Sequence, residues 1–450
     1  MPSERGSTGW NSAHDWSPTG AGRRVLRGAT ALSHEDRVPT TVGEGPSPRG
    51  SYRLMIDPTF GPFFWGRLVS SSGIWIYNIV ASVVAFELTG STLVVGAVTA
   101  AQFAPQLVFA PLSGTLADRG NAALQIVSGQ ILTSLGSGGL ALWIWLVGGV
   151  SGLPGAAPVV AASFVVGMGF VVGGPAMQSI VPAMIRSGEM AAAMALNSVP
   201  MTVARAAGPI LGATVATQLG PATAFAIASG ASVVYGLVAL ALRLPSGSTD
   251  GDTDFSVRAA LRHLRSDRPL MLLLVGIAAI GVGADPSVTL APALAEHLGG
   301  GARLVGWLAS CFGIGVGIGF VFFARLHSLV GLVRLGGGGL LMMAAGLGVA
   351  ALSWTAAIAC VAFTLSGIGM NLALTSLTVQ IQDRSPDALR GRIMALWFVG
   401  FLGARPFAAA LNGFLADAVS VSVALTATAA IVTTAAYLSR PQRLASRAPP

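Results

Sequence analysis

Lysine is absent from this 450-residue chain, so all 26 basic residues are arginine. A genome-wide compositional bias, such as high GC content, accounts for that without a functional reason. Charge of either sign is scarce. Asp, Glu, Lys and Arg make up 10% of the residues, against about 25% in a soluble globular domain. Cysteine is nearly absent. Cys311 and Cys360 both lie in apolar stretches, which argues against a disulfide framework and a thiolate metal site. No GxxxxGK[ST] phosphate loop and no HExxH zinc pair occurs, and no polar segment is long enough for a nucleotide-binding domain. An ATP-driven pump would therefore need a separate subunit. No nucleophile–base or metal constellation converges, so the chain is expected not to be an enzyme and to need no cofactor and no metal. Residues 1–55 hold no apolar core of about 7–15 residues, so no secretory signal is expected there.

What the chain has is apolar length. Hydrophobic residues make up 53% and the mean hydropathy is +0.71. Runs of about 20 apolar residues, enough to cross a bilayer, recur from Phe60 to Leu438. They do not alternate with period two, as barrel strands would, so they are expected to be helices. Twelve spans are placed near 62–86, 93–116, 123–147, 156–181, 190–216, 222–242, 269–292, 303–325, 331–352, 355–380, 390–415 and 419–438. The longest internal polar loop, Leu242–Pro269, divides them six and six. The expected organisation is a disordered cytoplasmic tail (1–57), a six-helix bundle (58–242), a cytoplasmic loop (243–268), a second six-helix bundle (269–440) and a short tail (441–450). Within the loop, Val257–Arg265 suits a short amphipathic helix at the membrane surface.

The net charge of +8 raises the question of nucleic acid. The arginines cluster in short loops between apolar runs, which fits topology setting instead, and no nucleic-acid partner is expected. One side collects Arg119, Arg186, Arg243, Arg258, Arg262, Arg265, Arg268, Arg325, Arg334, Arg384, Arg390 and Arg392, while the other carries Arg303 with Glu87, Glu296 and Asp417. The positive-inside rule puts the first set, and both termini, in the cytoplasm.

Charge at membrane depth costs roughly 2.5–3.5 kcal/mol near the centre of a span on insertion scales. Asp285, Arg205 and Arg405 carry it. For Asp285 the functional reading is a proton- or substrate-binding carboxylate. The structural readings are a partner for an arginine, or a hydrated place near the outer interface. For Arg205 and Arg405 contact with an anionic substrate, or charge pairing across a cavity, stands beside bonding to backbone carbonyls. Asn78 and Gln106, in the first two spans, either line a central path or bond helix to helix. The same choice applies to Gln102, Asn197, Asn371, Gln380 and Asn412. Trp75, Phe103, Trp307 and Trp397 offer an aromatic wall, or serve as interfacial anchors. Gly208 and Gly212 are four apart and present a close-packing face, and Pro209 bends the same span.

Several motifs carry a resemblance. GTLADRG (Gly114–Gly120) resembles the loop between spans two and three of the major facilitator superfamily, with Gly114, Asp118 and Arg119 on matching positions. VARAAGPILG resembles the fifth-span segment of its exporters and antiporters. PDALRGRIMALW (Pro386–Trp397), with Gly391 and Arg392, and GFLAD (Gly413–Asp417) resemble the stretch through span eleven. GRLVSSSGIWIYNIVASVVAFELTGSTLVVG also matches, so the resemblance runs from about Phe60 to Leu438. More narrowly, the chain resembles the bacterial branch that holds the enterobactin exporter and macrolide efflux proteins. It departs twice. Asn121-Ala122-Ala123-Leu124 stands where the family carries more basic residues, and Arg405-Pro406 stands where small apolar residues are usual.

The resemblance implies an all-α membrane protein of twelve transmembrane helices in two six-helix bundles. It implies a monomeric secondary active transporter in the bacterial cytoplasmic membrane, working by alternating access. The expected activity is proton-coupled efflux of an amphipathic small molecule, drug-like or siderophore-like. A same-fold importer or metabolite transporter, and a non-transporting membrane sensor or scaffold, are the alternatives. Asp285 is the first choice for the coupled carboxylate, and Glu87, which ends span one near the outer face, is the second; burial would favour the protonated form of either. Gating is expected at Gly114, Asp118 and Arg119, at Gly208, Pro209 and Gly212, and at Gly391 and Arg392.

Overall fold

The computed structural model describes residues 50–119, 121–186, 188–242, 257–386, 389–440 and 442; for 110–119, 178–179, 183 and 257–261 it describes the backbone alone. The described residues form helices and no strand. Twelve helices follow one another: α1 (Phe60–Thr89), α2 (Thr92–Arg119), α3 (Ala122–Leu146), α4 (Ala157–Ser179), α5 (Met190–Leu219), α6 (Pro221–Ala241), α7 (Arg268–Ala284), α8 (Gly301–Val330), α9 (Leu332–Ala351), α10 (Ala356–Arg384), α11 (Arg390–Ala418) and α12 (Val421–Leu438). Short helices at Ser51–Met55 and Val257–Ser266 precede α1 and α7.

Their ends are written in the sequence. Asn121, Asp267, Thr355 and Ser420 cap α3, α7, α10 and α12, each side-chain oxygen accepting a backbone N–H of the first turn. Such caps satisfy donors that a helix start leaves open. Gly90 ends α1 at φ +62°, a left-handed conformation open to glycine.

Eleven of the helices are long and apolar enough to cross a membrane. The remaining one, α3, has 25 residues, or about 37 Å at 1.5 Å per residue. Gln125, Gln130, Thr133, Ser134 and Ser137 dilute its apolar content. It packs against α4 and α6, and several of those polar groups turn inward. Ser70 of α1 donates to Gln130 at 2.9 Å, and Ser134 lies 2.8 Å from Ser229 of α6.

The seventh span is not the single helix expected over 269–292. α7 stops at Ala284, and the chain continues through Pro286–Thr289 and Ala291–His297. Pro286 and Pro292 have no N–H to give the ladder and crowd the preceding turn. The break falls at Asp285.

The pairing of helices repeats after six. In the first half, α3 packs on α4 and α6, α1 on α5 and α6, and α2 on α4. In the second half, α9 packs on α10 and α12, α7 on α11 and α12, and α8 on α10. Adding six to each first-half pair gives the second-half pair. Two further pairings, α5 with α8 and α2 with α11, join the halves. They too map onto each other under the same shift. This is two six-helix bundles related by a pseudo-two-fold axis, the architecture of alternating-access transporters.

Candidate functional site

Asp285 is fully buried at the break in α7. Thr289 Oγ1 donates to its Oδ1 at 2.8 Å, and Asn412 Nδ2 of α11 donates to its Oδ2 at 2.7 Å. Thr428 of α12 donates to Asn412 Oδ1 at 2.6 Å, which fixes which end of the amide faces the carboxylate. Thr289 Oγ1 also lies 3.3 Å from Thr99 Oγ1 of α2, in the other bundle. All five side chains are buried. One carboxylate thus ties α7, α11 and α12 together and reaches across to α2, through neutral donors only.

The two in-span arginines occupy matching places. Arg205 is fifteen residues beyond Met190, the first of α5, and Arg405 is fifteen beyond Arg390, the first of α11. Each faces a phenylalanine of the opposite bundle. The guanidinium carbon of Arg205 lies 5.0 Å from the Phe312 ring centre on α8, and that of Arg405 lies 4.3 Å from the Phe103 ring centre on α2. Phe312 and Phe103 are each eleven residues beyond the first residue of their helices, Gly301 and Thr92. The pseudo-two-fold therefore carries one arginine–phenylalanine pair onto the other. Arg205 has a second ring, Trp75 of α1, at 4.8 Å.

Neither arginine forms a hydrogen bond or an ion pair with the described residues, and the Nε of each is buried without a partner. Arg405 lies within electrostatic reach of both Asp285 and Arg205, yet the hydrogen bonds that the carboxylate accepts come from Thr289 and Asn412. Backbone carbonyls, one set of partners expected for these arginines, are therefore not what they find; aromatic rings take that place. A buried donor left unmade costs about 1–3 kcal/mol, more when charged. Cation–π contact returns about 0.5–2 kcal/mol.

Both seams between bundles close at the same end. On the α2–α11 seam, Gly96 abuts the Ala409 carbonyl and Gly413 abuts the Leu93 backbone, leaving no room for a Cβ. Here Asp417 of α11 accepts from Ser91 Oγ at 2.5 Å, Thr92 N at 2.7 Å and Leu93 N at 3.0 Å. It caps the start of α2 from the other bundle. On the α5–α8 seam, Gly313 abuts the Arg205 carbonyl and Gly306 the Pro209 carbonyl. Ile210 N donates to Ser310 Oγ at 3.0 Å.

The other expected positions scatter. Gln102 Nε2 donates to Asn78 at 2.8 Å, joining α2 to α1, and Gln106 is half-buried one turn further on. Glu87 is exposed near the end of α1. Gly208 and Gly212 of α5 abut Trp75 and Ile76 of α1, within one bundle, and Pro209 between them is buried. Gly391 is exposed with open space where a Cβ would be, and Arg392 is half-buried. Gly114, Asp118 and Arg119 end α2, and their side chains lie outside the described residues. Three features had no reading in advance: Asp417 as a bond between bundles, the Thr99–Thr289 bridge, and Arg67. Arg67, buried in α1, donates to Asn197 of α5; its signal was an arginine within an apolar run.

A family model described as transmembrane secretion effector matches residues 51–448. The chain belongs to that family. Solved structures share the fold at low identity. A bacterial homologue of the iron transporter ferroportin in the inward-facing state aligns with TM-score 0.68 and 14% identity, over 89% of this chain and 100% of the other. A bacterial homologue of the human lysosomal transporter Spinster, inward-facing and unoccupied, gives TM-score 0.66 and 15% identity over 86% and 96%. A POT family transporter in complex with 5-aminolevulinic acid gives 0.69 and 11% over 84% and 94%. The search of curated proteins finds no match. The fold is that of the major facilitator superfamily, and this secretion effector is a membrane transporter.

Proposed function

We propose that this transporter exports an amphipathic small molecule from the bacterial cytoplasm by alternating access, coupled to protons through Asp285. The observation that supports it most is the buried Asp285 at a helix break, bonded to Thr289 of its own span and to Asn412 of α11, with Thr289 in turn 3.3 Å from Thr99 of the other bundle. A group there changes its surroundings whenever the bundles part, so its proton affinity must differ between the two states. With the arginine-rich loops in the cytoplasm, the closed end of both seams faces outward and both termini face inward. The bundles, 58–242 and 269–440, then rock about the centre as a monomer, and Asp118 and Arg119 belong to the inner gate. The description of the family as secretion effectors favours outward movement.

The test is expression in an efflux-deficient bacterial host, with accumulation of a panel of drug-like and siderophore-like compounds measured by mass spectrometry. At least one compound should accumulate less with the wild-type chain than with Asp285→Ala at equal membrane level. Equal accumulation across the panel would overturn the proposal.

A further inference from the structure

Among the described residues, the centre of the molecule has more positive charge than its carboxylate balances. Asp285 supplies one negative charge at most, and Arg205 and Arg405 supply two positive ones. The carboxylate bonds to neither arginine among the described residues; the hydrogen bonds it accepts come from Thr289 and Asn412. Arg405 is 7% exposed, carries a buried and unpartnered Nε, and has a ring beside it instead of an acceptor. Arg205 repeats the arrangement across the pseudo-two-fold, between Trp75 and Phe312. A guanidinium has five N–H donors in one plane and no acceptor. Stacking over a ring occupies its face and leaves those edges free.

Resting on the transporter reading above, we propose that the cargo is an amphipathic anion: an aromatic carboxylate or a close chemical equivalent, whose oxyanion bridges Arg405 and Arg205. Its flat apolar body lies against Phe103, Trp75 and Phe312. The oxyanion supplies what the protein withholds from both arginines, and charge-assisted, fork-shaped pairing of this kind is roughly twice as strong as a neutral hydrogen bond. The two arginines come one from each bundle, so an anion held by both is held at the axis about which the bundles turn. The membrane potential, negative inside, acts on such a cargo in the outward direction.

The test uses the purified full-length chain in nanodiscs and three probes with one ring system and different charge: 1-naphthoate, 1-naphthalenemethanol and 1-naphthylmethylammonium. Calorimetry reads each dissociation constant. Naphthoate is expected to bind at least about tenfold tighter than the other two. Arg405→Gln removes that preference and Arg405→Lys keeps part of it. The preference must vanish in a variant that stays monodisperse with unchanged helix content, which separates lost charge from lost folding. Tightest binding of the ammonium probe, or an undiminished naphthoate preference in Arg405→Gln, overturns the inference. The transporter reading fails separately. Asp285-dependent accumulation without a naphthoate preference sinks only the anion, and a naphthoate preference without accumulation of any compound sinks only export.

Discussion

The two seams between the bundles are related by the same axis yet are built differently. The α5–α8 seam is held by close backbone approach at Gly306 and Gly313 and by one neutral bond, Ile210 N to Ser310. The α2–α11 seam has its own close approach at Gly96 and Gly413, and adds two carboxylates. Asp417 caps α2 from outside it, and Asp285 reaches Thr99 through Thr289. Both seams carry an arginine over a phenylalanine, but Asp285 stands beside the α11 arginine alone. In the mechanism proposed above, the pseudo-symmetric frame would supply the motion, and the acidic residues of one seam would make that motion answer to charge. A symmetric machine with one titratable side can couple to protons without duplicating the coupling site.

The comparison can be broken at four places. Asp285→Ala has the largest expected effect. It leaves the buried Asn412 and Thr289 donors without their acceptor and removes the negative charge beside Arg405, and each buried polar group left unmade costs about 1–3 kcal/mol. Accumulation assays should show transport down by about a hundredfold or more at matched expression, since about 1.4 kcal/mol is a factor of ten. Arg405→Gln against Arg205→Gln comes next. Loss of a charged bonding group costs about 1.5–3 kcal/mol, and the Arg405 change is expected to reach that range because Asp285 loses its neighbour. Arg205→Gln, further from the carboxylate, should cost less, and equal losses would contradict an asymmetric coupling site.

Asp417→Asn tests the outer bond. The carboxylate is exposed, so three charge-assisted bonds are worth about 1 kcal/mol together after solvent screening, or about a fivefold shift toward the outward-open state. Labelling of Leu93→Cys by a membrane-impermeant maleimide should quicken accordingly. The smallest effect is expected at Ser310→Ala, which removes one neutral bond on the other seam, worth about 0.5 kcal/mol at the low end of the range for such a bond. It should leave that labelling rate within about twofold of wild type.

Much of the frame is readable in the chain. Apolar length, proline and glycine punctuation, and arginine-rich loops mark the helices. Twelve segments and a six-plus-six division follow from them. Asp285, Arg205 and Arg405 were visible because charge inside an apolar run is costly and rare. Their company was not. Threonines in these helices mostly bond to their own backbone, as Thr133 and Thr364 do, so nothing distinguished Thr99, Thr289 and Thr428 in advance. Asp417 reads as a loop residue because its partners are backbone N–H groups 325 and 324 residues earlier, and backbone groups leave no mark in a sequence. The break in α7 had a local sign, the Asp285-Pro286 pair. An aspartate before a proline is common enough that the pair did not mark the break in advance. The matching places of Arg205 and Arg405 were present in the numbering all along, but they emerge only once helix starts are known.

The most direct test of the two-seam account is a pair of spin-label distances measured by double electron–electron resonance in nanodiscs. One pair, Leu93→Cys with Val419→Cys, spans the α2–α11 seam, and the other, Leu219→Cys with Arg303→Cys, spans the α5–α8 seam, all at exposed positions of the closed end and in a chain with Cys311 and Cys360 replaced by alanine. If the bundles rock as rigid bodies and Asp417 holds them, adding Asp417→Asn raises the long-distance population in both pairs together. Lengthening of the Leu93–Val419 pair alone, or no change in either, would contradict it.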